Sequence, residues 1–165
     1  MMLLNEYRYW DELKFREEYE CDENGLYDGG LLVPTNHAFV LYTMSCGQMF
    51  TAAVGFLTGH TYLAWGPCVG SIVAQKHWSA PRYSWVRNLD IACVLSLMAA
   101  HWWAAWGSPA APLFYAMQVL GAAMYGLSWH FAFRRKAWPA TLAHAGVHVM
   151  GNTSVVLLYL TLGAG

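Results

Sequence analysis

Beyond Asp28 the chain holds one carboxylate, Asp90, while five apolar stretches occupy most of the remaining sequence. Six bases and one acid are too few to clothe a water-soluble domain, whose exterior is normally about a quarter to a third charged. The missing charge lies upstream, where the first 28 residues hold nine of the ten acids and three of the nine bases. Such a split describes a short acidic soluble segment followed by a domain whose solvent is lipid. The expected fold class is all-α: a polytopic integral membrane helix bundle with about five transmembrane helices and a short N-terminal soluble arm.

Residues 1–36 make up the acidic arm and 37–165 the transmembrane helical domain. In the arm, aromatics and charges alternate around Tyr7, Trp10, Leu13 and Phe15. That pattern allows an amphipathic helix over 5–20 lying on the membrane surface, although a solvated arm is the simpler reading. The apolar segments run Ala38–Thr58, Thr61–Gln75, Leu89–Trp106, Pro112–Phe131 and Trp138–Leu162. A span needs about 20 apolar residues. The second is short and contains Pro67, which points to a broken or partly re-entrant segment.

Charge placement sets an orientation. Lys76, Arg82 and Arg87 lie between the second and third segments, and Arg134, Arg135 and Lys136 between the fourth and fifth. The connections Gly59–His60 and Gly107–Ala111 have neither Lys nor Arg. With five spans, both basic loops fall on the side of the N-terminus, which the positive-inside rule makes cytosol, matrix or stroma. Trp78, Tyr83 and Trp85 read as an interfacial belt on that side. The four cysteines (Cys21, Cys46, Cys68, Cys93) are far apart and form no CxxC pair, so neither a zinc knuckle nor a disulfide framework is expected.

The chemistry is concentrated in one layer. By topology and a rise of about 1.5 Å per residue, His77, Asp90, His130, His144 and His148 all fall in the leaflet facing the basic loops. His144 and His148 are four apart and project from one helix face, with Asn152 a turn further on. Two such imidazoles can share a metal ion, and catalytic Zn²⁺ takes three protein ligands plus a water. His77 is the first choice for the third ligand and His130 the second. Asp90 could hydrogen-bond the bound water, whose pKa falls to about 7, and Ser71 could polarise a substrate carbonyl. The plainer readings are helix-packing histidines and an Asp90–Arg87 salt bridge. His60 and His101 are assigned structural roles, and His37 none.

The ordered set resembles the CREST superfamily of membrane hydrolases, which includes alkaline ceramidases, progestin/adipoQ receptors, haemolysin III and Myomaker-like proteins. Ser71 and His77 in GSIVAQKH look like its first element, Asp90 in WVRNLDIACVL its second, and His144 and His148 in LAHAGVHVMGN its third. The family core has seven helices where this chain fits five, and its Ser and His are four apart where these are six. The resemblance implies zinc on His77, His144 and His148, with Asp90 assisting catalysis and Ser71 supporting the site.

The expected function is a zinc-dependent membrane hydrolase acting on a lipid amide or ester at the cytosolic leaflet. The alternative is a non-enzymatic membrane subunit or scaffold of a larger, organellar complex. Haem ligation by paired transmembrane histidines is a third reading. Membrane lipid is the expected partner, membrane proteins are partners in the alternative, and no nucleic acid is expected.

Overall fold

A computed structural model describes residues 26–27 and 30–162. The amphipathic helix expected over 5–20 lies outside the described residues. Five helices follow in chain order: α1 Thr35–Leu57, α2 Thr61–Trp78, α3 Trp85–Ala105, α4 Ala111–Phe133 and α5 Ala137–Leu162. Among the described residues there is no strand, apart from an isolated bridge between Tyr27 and Leu31. The fold is all-α, and two of its helices, α1 and α5, are long and apolar enough to cross a membrane. Only 28 % and 22 % of those two spans is buried inside the bundle, so neither is the enclosed core helix of a soluble domain.

The helix ends follow from local chemistry. Pro34, extended at φ −57° and ψ 152°, opens α1, and its carbonyl accepts the first helical bond from Ala38 N–H at 2.9 Å. The helix closes where His60 N–H donates to the Gly55 carbonyl (2.8 Å) and Gly59 N–H to that of Phe56 (3.2 Å). This paired stop needs a left-handed residue, here Gly59 at φ 83°. α4 stops with the same pair of bonds, Lys136 N–H to Phe131 and Arg135 N–H to Ala132, both at 2.9 Å. There the left-handed position, φ 55°, is filled by Arg135. Ser84 caps α3 by accepting from Arg87 N–H at 3.4 Å.

The expected break in the second segment does not occur. α2 runs unbroken through a buried Pro67 and extends to Trp78. Proline removes one helical hydrogen bond, a loss that packing by neighbouring helices can absorb.

Packing order differs from chain order. α1 lies between α2 and α5, α3 flanks α2, and α4 flanks α5. Close approach is set by missing side chains: a Cβ on Gly55 would meet Tyr159 and Ala64, and Leu97 of α3 sits over Gly66 and Gly70 of α2. Leu41, Ala74, Trp78 and Ala145 join α1, α2 and α5 towards the basic loops. Ala105, Ala110, Phe114 and Leu158 join the other ends of α3, α4 and α5. There Tyr115 donates from its hydroxyl to the Trp102 carbonyl at 3.0 Å. α3 and α4 therefore meet near their connecting turn and part towards the basic loops, leaving a cleft.

Candidate functional site

That cleft opens into a cavity of about 800 Å³ to which all five helices contribute. The volume lies within the range of sites that enclose a small organic ligand. Its lining is mostly apolar, with His77, Asp90, His144 and His148 among the polar exceptions.

Four cavity residues carry a buried polar atom with no hydrogen-bond partner: Gln48 Oε1, His77 Nδ1, Asp90 Oδ1 and His148 Nε2. Each unmet atom costs about 1–3 kcal/mol, and native folds retain few without a water, ion or ligand to meet them. All four residues line the one cavity, which gathers polar groups without partners into a single place.

The histidines sit where helix periodicity puts them. His144 and His148 are one turn apart on α5, with ring centroids 5.5 Å apart and planes at 49°. Trp78 packs against both His77 and His144, at 4.6 Å and 5.2 Å between centroids. His77, at the end of α2, is buried and within electrostatic range of His144. Tyr125 of α4 closes on His144 from another side, at 5.9 Å. Asp90, on the first turns of α3, makes no ion pair with Arg87. Its Oδ1 is unpartnered, and the Arg87 guanidinium lies 5.2 Å from the Tyr83 ring centroid.

The expected residues do not all converge. Ser71 is fully buried, but it does not line the cavity. Its hydroxyl donates to the Ser45 carbonyl (2.9 Å) and accepts from Gln75 Nε2 (2.9 Å), which commits it to the α1–α2 contact. Six residues of helix turn it well away from the direction of His77. His130 is exposed, packs its edge on Phe131 and also lies outside the cavity lining. Among the described residues no three His, Cys, Asp or Glu side chains are gathered closely enough to hold a metal ion as they stand. The donor types nevertheless suit Zn²⁺: an imidazole pair one turn apart, with a third imidazole and a carboxylate lining the same cavity.

The remaining histidines are pins. His37 Nδ1 lies 2.7 Å from Thr141 Oγ1 and its ring packs on Trp138 at 4.1 Å, joining α1 to α5. His101 Nδ1 reaches the Leu97 carbonyl (2.8 Å), so Nδ1 carries the proton and Nε2 accepts from the Tyr159 hydroxyl at 2.7 Å. His60 Nε2 donates to the Tyr159 carbonyl at 3.1 Å.

Sequence reasoning missed Gln48, which lines the cavity and whose unmet oxygen lies against Gly70 of α2. An amide in an apolar helix was the available signal. The chain matches no protein-family model, no curated protein and no solved structure.

Proposed function

We propose that the protein is a five-span membrane-embedded hydrolase that cuts an amide or ester bond of a lipid, with zinc held by His144, His148 and His77. The observation that carries this reading is the set of unmet buried atoms on His77, Asp90 and His148, residues of α2, α3 and α5 that line one cavity. The resemblance of their order in sequence to the CREST hydrolases supports the same assignment.

Two girdles of exposed aromatics support the membrane setting. Tyr83, Trp85 and Phe133 stand out at the basic end, and Tyr62, Trp103 and Trp106 at the other. Aromatic belts of this kind mark the two interfaces of a bilayer. Helices of 18 to 26 residues span about 27–39 Å, so four of the five cover a hydrocarbon core of about 30 Å and α2 falls slightly short of it. The six bases beyond Asp28 cluster at the ends of α2 and α4 and the starts of α3 and α5, which makes that end cytosolic in this reading.

The metal, when bound, supplies the Lewis acidity that makes water a competent nucleophile near neutral pH. His144, His148 and His77 would hold it through neutral ring nitrogens. Asp90, across the cleft, would accept the proton of the attacking water and return it to the amine or alkoxide that leaves as the acyl bond breaks. Gln48 and Asn152 lie deeper along the same wall and orient the substrate's polar group. The apolar remainder of the lining excludes bulk water and strengthens each of these contacts.

Zinc content of the purified full chain tests this reading. Wild type should retain one zinc ion per chain, and His144→Ala and His148→Ala should each lose it together with hydrolysis of lipid amides and esters in mixed micelles. A wild-type protein without metal would overturn the proposal. Co-purification with other subunits in fixed ratio would then favour the scaffold reading, which the one-sided packing of α3 supports, since within it only His101 and Ala105 are buried.

A further inference from the structure

The cavity has an ordered lining. At its basic end stand Arg87, Arg135 and Lys136; below them come His77, Asp90 and His144; deeper, Met98, Val147 and Val155 share the walls with His148, Gln118 and Asn152. Val155 follows His144 by eleven residues on α5, a depth of roughly 16 Å. Along its side the cavity opens where α3 and α4 part, between exposed Val94 and exposed Ala122. A charged mouth, a polar waist and a partly apolar lower end with a lateral opening match the parts of a membrane lipid in order: headgroup, linkage and acyl chain.

From this order we infer that the cavity takes an anionic membrane lipid, loaded sideways from the bilayer between α3 and α4, with its phosphate on Arg87, Arg135 and Lys136. This deepens the hydrolase reading by naming its substrate class, and it rests on the membrane setting of that reading. Three cations at the mouth, with no carboxylate beside them among the described residues, give the complementarity, and basic pockets between helices on the cytoplasmic side are known to hold anionic headgroups. Arg135 adds a second argument. It occupies the left-handed position of the α4 stop, φ 55°, where glycine would fit with less strain. Keeping arginine there places a guanidinium at the mouth. The chain over residues 30–34, tied down by Leu32 N–H to the Pro81 carbonyl at 2.7 Å, brings Leu32, Val33 and Pro34 against the same mouth. The headgroup is thus covered from above and the acyl chain is admitted from the side.

The test reads binding rather than turnover. Detergent-purified full chain is offered equal amounts of dioleoyl phosphatidylglycerol and dioleoyl phosphatidylcholine, freed of excess lipid, and its retained lipid counted by mass spectrometry. Wild type should prefer the anionic lipid by about tenfold. The double variant Arg135→Gly, Lys136→Gln should lose the preference while keeping its total lipid, and the glycine eases the backbone, so folding is not at risk. Arg82→Gln with Arg134→Gln, bases outside the cavity lining, should leave the preference intact. Ala122→Trp, which plugs the lateral opening, should lower retention of both lipids. Equal retention by wild type, a preference that survives the Arg135–Lys136 change, or one lost equally in the control pair would each overturn the inference. Zinc measured on the same samples separates the two claims. Metal without lipid preference overturns this inference alone, whereas lipid preference without metal overturns only the hydrolase.

Discussion

Two histidines of this bundle, His148 half-buried and His101 buried, carry opposite energetic signs. His148 holds a buried Nε2 with no partner, whereas His101 spends both ring nitrogens on the Leu97 carbonyl and the Tyr159 hydroxyl. An unmet buried group costs about 1–3 kcal/mol, and its removal in favour of an apolar side chain recovers part of that. His148→Leu should therefore leave the metal-free chain as stable as wild type or more so, by about 1 kcal/mol, while abolishing metal retention. His101→Leu should lower stability by about 1–3 kcal/mol, because the Tyr159 hydroxyl is left buried without its acceptor. Thermal unfolding in detergent without added zinc checks both, and a shift in the same direction for the two would erase the distinction between a waiting site and a structural pin. Topology and helical rise, read from the sequence, put His77, Asp90, His130, His144 and His148 in one layer, and all but His130 line the cavity. The structural roles of His60 and His101 were also legible, but not the partners that satisfy them, nor any role for His37. His37 finds Thr141 at a separation of 104 residues and His101 finds Tyr159 at 58, contacts that no local pattern announces. Ser71 was a different failure: its six-residue offset from His77 already said that the two diverge.

At the level of elements, the helices stop by a common device with unequal occupants. Gly59 and Arg135 fill equivalent left-handed positions after α1 and α4, and a non-glycine residue pays about 1–2 kcal/mol for that conformation. Arg135→Gly should raise stability by about 1 kcal/mol. Gly59→Ala should lower it by about as much, for backbone reasons alone, because nothing lies within 4 Å of a Cβ placed there. Opposite shifts in chemical or thermal unfolding are the expected result. Equal shifts would mean that the Arg135 side chain contributes to stability as well as to the mouth of the cavity. The five helices were readable as apolar runs, with ends displaced by up to four residues. α2 and α3 extend into Lys76–Trp78 and Trp85–Asn88, where charged and amphipathic residues broke the apolar run without breaking the helix. Pro67 misled for a related reason, since the rule that proline ends helices holds only where neighbours do not compensate.

For the whole molecule, the arrangement of helices matters more than their number. α3 and α4 are neighbours in sequence yet hardly touch, and it is their separation that turns a bundle into a vessel. No pattern along the chain encodes that gap, because it arises from Leu97 settling on Gly66 and Gly70 while α4 is held by α5. The proposed orientation makes the gap useful only if the basic mouth faces the leaflet that supplies anionic lipid. Cysteine labelling tests it on a Cys21→Ser background. Ser79→Cys lies in the turn between α2 and α3, and Pro109→Cys in the turn between α3 and α4; both positions are exposed. A membrane-impermeant maleimide applied to sealed vesicles of known sidedness should reach Ser79→Cys only from the cytosolic face and Pro109→Cys only from the opposite one. With α3 crossing the bilayer, no other result is compatible with five spans. Labelling of both from one side would leave α3 on the surface, move Asp90 out of the proposed hydrocarbon setting, and remove the reason for an acid to share a cavity with histidines from α2 and α5.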